Sequence, residues 1–171
     1  MGIWGQLFGN EVASPVKESV YSRMRKHSFS GMVSVLGKAK PAGEHGVYGV
    51  LMEFKATQGC MVLLATYVTG DSSVYYGDNE SLGGGIRYEN LKNLAITFNQ
   101  RADTVISDCR RMKSLPDFSG GCAFYILTTE GEYAADVPAA DLQNKENKFF
   151  PLVDAGKYLI KEYELLAKQR G

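Results

Sequence analysis

The chain has 171 residues, 44% of them apolar, which is enough to build one domain around a proper core. Nineteen Lys and Arg residues cancel nineteen Asp and Glu. With no basic surplus there is no global field to gather nucleic acid or an anionic membrane, so neither is expected as a partner.

The N-terminus, MGIWGQLFGNE, lacks a positive n-region and has only a short apolar stretch, so it does not read as a secretory signal. Gln6 stands where a myristoylation sequence following Gly2 would place Ser or Thr. No run approaches the roughly 18 apolar residues that span a bilayer. A cytoplasmic protein is therefore expected. Residues 1–13 still carry Trp4, Leu7 and Phe8, large apolar groups expected to dock on the core or on a second subunit rather than fray, with a membrane-surface anchor as the lesser alternative. The three cysteines, Cys60, Cys109 and Cys122, sit widely apart inside apolar patterns and read as buried reduced thiols.

Ser14-Pro15 suits a helix entry, and Val16, Val20 and Met24 then recur every fourth residue, predicting a helix over 15–27. Its Lys17, Arg23, Arg25 and Lys26 read as a solvated face. A short apolar run at 32–36 and a glycine-rich connection to Gly46 follow. From Val47 the period falls to two. Val50, Met52 and Phe54 form the buried face of a strand, with Leu51, Glu53 and Lys55 opposite. A second strand through Met61 to Tyr67 is apolar on both faces and should be central. A third runs from Ser73 to Tyr76. The turns at Thr57-Gln58-Gly59 and Gly70-Asp71 are too short for parallel crossovers, so these strands form an antiparallel meander.

Gly83, Gly84 and Gly85 lead into a predicted helix whose apolar stripe, Leu91, Leu94, Phe98, Ala102, Val105, Cys109 and Met112, continues until Pro116. A strand at Cys122 to Thr128 turns back at Glu130-Gly131 as a hairpin. A last helix begins at Pro151 and carries Leu152, Gly156, Leu159, Tyr163 and Leu166 as a narrow seam, fit for a sheet or a second subunit. Helix, three strands, long helix, hairpin and helix describe a single α+β domain over 1–171, with an antiparallel sheet of about five strands. This order resembles profilin-like and roadblock-type domains. More specifically, Leu51-Met52-Glu53, Ala65, Gly70, Ser73, Tyr75, Gly83-Gly84-Gly85, Ala95 and Phe98 resemble a family of small bacterial proteins of unassigned function, a resemblance that implies no activity.

Chemistry is sparse. With Gly85 as helix N-cap, the first-turn amides could receive an anion or nucleotide beside Arg87, which makes Gly83, Gly84, Gly85 and Arg87 the candidate ligand residues. The spacing fits neither a dinucleotide nor a P-loop motif, and Asp71, Asp78, Glu80 and Glu89 oppose an anion. The competing role is a tight packing corner. His27 and His45 are the only imidazoles and stand in unrelated contexts, so neither a cysteine nucleophile with its base nor a zinc site is expected, and no cofactor is implied. The expectation is a non-catalytic interaction module that forms a homo-oligomer or docks a protein partner. Its candidate surfaces are a sheet edge, Trp4, Leu7 and Phe8, and the terminal-helix residues Leu159, Tyr163 and Leu166. A small-ligand protein or enzyme using the glycine loop is the alternative.

Overall fold

The computed structural model describes residues 18–30, 35 and 37–171. Trp4, Leu7 and Phe8, the helix entry at Ser14-Pro15 and most of the 32–36 run lie outside them. The fold is α+β: helix α1 (Val20–Ser30) precedes strands β1 (Val47–Lys55), β2 (Met61–Tyr67), β3 (Ser72–Tyr76) and β4 (Glu80–Gly83). Helix α2 (Glu89–Asp103), strands β5 (Arg110–Arg111), β6 (Cys122–Thr128) and β7 (Gly131–Val137), and helix α3 (Phe150–Arg170) complete it. All strand pairs are antiparallel, in the order β4-β3-β2-β1-β6-β7-β5.

The sheet has seven strands instead of about five. The two additions are both edges. Strand β4 has one apolar residue in four, and β5 is a pair of arginines, so neither carries the alternation that marks a strand in sequence. Helix α2 is also shorter than its stripe predicts. It ends at Asp103, a 3-10 turn covers Ile106–Asp108, and the chain then enters β5. The reason is local: Val105, Ile106 and Cys109 still pack into the core beneath α2 and keep a helix-like spacing after the backbone has left the helix. Met112 lies against the opposite core, with Leu115 and Phe118.

Strand β1 buries both faces, where one was expected to be solvated. It sits at the centre of the sheet between β2 and β6. On one side Val50, Met52, Val62, Leu64, Phe124 and Ile126 meet α2 and α3 through Leu91, Phe98, Leu152 and Leu159. On the other, Leu51, Leu63, Tyr125 and Leu127 are covered by Tyr21 and Phe29 of α1 and by the 112–118 segment. This second layer turns α1 away from its predicted orientation. The stripe meeting the sheet is Tyr21, Arg25 and Phe29, while Val20 is 41% exposed.

Arg25 is thus not part of a solvated face. Its Nε donates to Glu53 Oε1 at 2.8 Å, and one terminal nitrogen donates to Tyr125 Oη at 2.9 Å and to the Pro116 carbonyl. Glu53 is 1% exposed and accepts also from Tyr21 Oη and Tyr125 Oη. Burial followed by the Glu53 charge raises both tyrosines above their usual range, so they remain hydrogen-bond donors. Burial lowers Arg25, but the Glu53 hydrogen bond and charge outweigh it and leave the guanidinium raised. One carboxylate on β1 thereby ties α1, β6 and the 110s segment together.

Candidate functional site

The glycine corner is built from three elements. Gly83 ends β4, Gly84 adopts a left-handed φ of 73°, and Gly85 opens a 3-10 turn and is buried. Tyr88, not Gly85, caps α2, and Glu89 places a carboxylate in the first helical turn. A Cβ on Gly85 would lie 2.2 Å from Tyr163 Oη and 2.3 Å from Ser72 Oγ. Tyr163 reaches across from α3, donating to the Ser72 carbonyl at 2.7 Å and sharing a hydrogen bond of 2.7 Å with Ser72 Oγ. The space beside Gly85 is therefore occupied by the chain's own side chains, joining β3, α3 and the start of α2. Arg87 is exposed, and its guanidinium lies beside Gly84.

The terminal-helix seam divides. Leu159 and Tyr163 are buried against the sheet, and Leu166 is half-buried at the same core. The seam therefore serves the chain's own packing, the sheet alternative of the two the spacing allowed. The outer face of α3 instead exposes Tyr158 and Leu165.

Among the described residues no three His, Cys, Asp or Glu side chains converge as a metal site, and no helix is long and apolar enough to cross a membrane. His45 Nδ1 lies 3.1 Å from Asp103 Oδ1, but Asp103 also accepts the Glu44 and His45 amides, and it fills the space where a Cβ on Gly43 would stand. This contact fastens the Gly43–Gly46 turn to the end of α2. Among the described residues no serine or cysteine is hydrogen-bonded to His45.

The thiols are muted. Burial first, then the Asp108 charge, pushes Cys109 up to about 11, and burial pushes Cys122 up to about 12. Since the thiolate is the reactive form, both stay protonated in the folded chain at pH 8. A thiol-reagent titration at pH 8 is expected to leave Cys109 and Cys122 unmodified in the folded chain and to reach both in denaturant. Rapid modification of both at pH 8 without denaturant would contradict these burials.

What remains is the β4 edge. At the other end of the sheet the β5 edge carries two arginines: Arg110 pairs with Asp136 of β7 at 2.7 Å, and Arg111 donates to the Glu130 carbonyl at 2.7 Å. Proteins commonly blunt edges with such cations. Strand β4, Glu-Ser-Leu-Gly, has no Lys or Arg, and no described residue pairs with its outer side. Recesses flank it on both faces of the sheet. On the α3 side are one of about 480 Å³ beside Glu80 and one of about 330 Å³ beside Leu82; on the α1 side is one of about 180 Å³ beside Val20 and Met24. Sequence reasoning named a sheet edge without locating it, because edge identity depends on which distant strands pair.

The described residues form an α+β domain whose sheet ends in an arginine-bearing edge, β5, and in an edge, β4, that no described residue pairs. No protein-family model, curated protein or solved structure matches the chain.

Proposed function

We propose that this chain is a cytoplasmic, non-catalytic interaction module that receives an extended segment of a partner protein alongside β4. The observation carrying this reading is a β4 edge that no described residue pairs, flanked by recesses on both faces and set against the arginine-bearing β5 edge. Backbone hydrogen bonds along an edge supply affinity that is blind to sequence, and alternating side chains falling into recesses on either face supply selectivity. Side chains of β4 alternate in the same way: Leu82 packs toward the α3 core, so Glu80 shares its side, and Ser81 faces the α1 side. Three unpaired cysteines fit a reducing compartment.

Ser81 is exposed, so Ser81→Lys should leave stability within about 0.5 kcal/mol. It places on the edge the kind of charge that discourages strand addition. Co-purification of bound protein with the S81K chain is expected to fall at least about tenfold relative to wild type. Undiminished recovery from a normally folded S81K chain would refute the edge as the docking site.

A further inference from the structure

The geometry points to a lysine or arginine side chain of the incoming segment as the occupant of the larger α3-side groove. This inference rests on the edge-docking reading and names the chemistry of its anchor. Phe54, Val62, Tyr76 and Ile160, all of them part of or packed on the main core, form the inner wall of the groove, and Thr57, Gln58 and Asn79 add polar groups to its lining. Among the described residues its two charged lining residues are the exposed carboxylates Glu80 and Glu164, and no Lys, Arg or His lines it. Tyr76 Oη donates to Glu164 Oε1 at 3.1 Å and so holds that carboxylate at the mouth.

A groove with an apolar inner wall bordered by two carboxylates matches a side chain with a hydrocarbon stem and a cationic head, which lays its methylenes on the wall and keeps its charge at the polar rim. A cationic head gains two partners of opposite charge that a purely apolar side chain does not use, and an acidic one would meet like charge. The neighbouring recess has different chemistry. Leu82, Leu166 and Ala167 line it, together with Arg170, whose guanidinium stacks 4.9 Å from the Tyr88 ring. Glu80 and Leu82 are two positions apart on one face, so a strand beside β4 presents successive same-face side chains to the two recesses in turn. The basic anchor therefore has a defined place in the segment, two residues from a position that suits an apolar or acidic side chain.

The test is a titration of the folded chain with n-butylammonium, the side chain of lysine in isolation, followed by the methyl resonances of Val62 and Ile160. n-Butanol and n-butyrate serve as the neutral and anionic counterparts. Saturable methyl shifts are expected for the amine below about 50 mM, a weak affinity appropriate to so few atoms. They should be absent for butyrate and weaker for butanol, and the amine's affinity should drop at least about fivefold in the Glu80→Gln, Glu164→Gln chain. Both carboxylates are exposed, and the same spectra report that the variant is folded. Absent shifts, equal shifts for amine and alcohol, or unchanged amine affinity in the variant would overturn the inference. No strand on β4 is needed, so a negative titration removes the basic anchor and leaves edge docking standing. Failure of the S81K experiment beside a positive titration removes the edge and not the groove.

Discussion

Replacing Arg25 by methionine is expected to lower the stability of the folded chain by about 3 to 5 kcal/mol, the usual consequence of leaving one member of a buried ion pair without its partner. Glu53 is 1% exposed and Arg25 is the one cation paired with it among the described residues, although Tyr21 and Tyr125 also donate to it. Removing the guanidinium also orphans the Pro116 carbonyl, which loosens the 112–118 segment over the second core. Urea denaturation monitored by circular dichroism reads the loss. The combined replacement Arg25→Met, Glu53→Leu, Tyr21→Phe and Tyr125→Phe should recover most of it, because the charge that needed compensation and the two hydroxyls that donated to it are all gone. A loss below about 1 kcal/mol in the single variant would mean that the two tyrosines suffice and that α1 is not held through Arg25.

The second large effect is expected at Gly85. An alanine there must displace Tyr163 Oη and Ser72 Oγ, both already fixed by hydrogen bonds to one another, so overpacking should cost about 1 to 3 kcal/mol. Gly84→Ala meets nothing closer than 3.7 Å, and its strain comes from its left-handed φ, roughly 1 kcal/mol. Gly83→Ala, in the strand and 3.3 Å from Ser73 Oγ, should be milder still. In a Tyr163→Phe, Ser72→Ala background the Gly85→Ala penalty should shrink to under about 1 kcal/mol, a coupling expected only of residues in contact. Equal penalties with and without that background would show that Gly85 is not confined by those two hydroxyls.

Much of this architecture is legible in the residues. The period-two run in β1, the doubly apolar run in β2, the short turns between β1, β2 and β3, and the seams Leu91–Ala102 and Leu152–Tyr163 all correspond to observed elements, with the expected buried faces except in β1, which buries both. Where reading failed, long-range contacts decided. Val105, Ile106 and Cys109 imitate a helix because the core they face does not distinguish a helical turn from a 3-10 turn. Arg25 looks solvated within its own helix and becomes buried through Glu53, 28 positions away. A local signal did exist: Tyr21, Arg25 and Phe29 form an i, i+4, i+8 stripe, and Glu53 interrupts the apolar run Val50-Leu51-Met52-Glu53-Phe54.

The candidate site was the least legible part. Glu80-Ser81-Leu82-Gly83 contains nothing that announces a strand, and its position at the margin follows from β1 pairing with β6, which sends β2, β3 and β4 outward in succession. Glu80 and Glu164 approach one groove only because α3 crosses the sheet beside the β3-β4 turn. Neither carboxylate stands out within its own segment.

Site-specific photo-crosslinking in the intact cell tests the docking reading most directly, with a photoreactive residue at Ser81 on the β4 edge and, in a second chain, at Arg111 on the β5 edge. A discrete protein adduct from position 81, crosslinked through an extended segment and absent from position 111, is the predicted result. Adducts of equal yield and identity from both edges, or adducts formed only from the exposed α3 residues Tyr158 and Leu165, would contradict it.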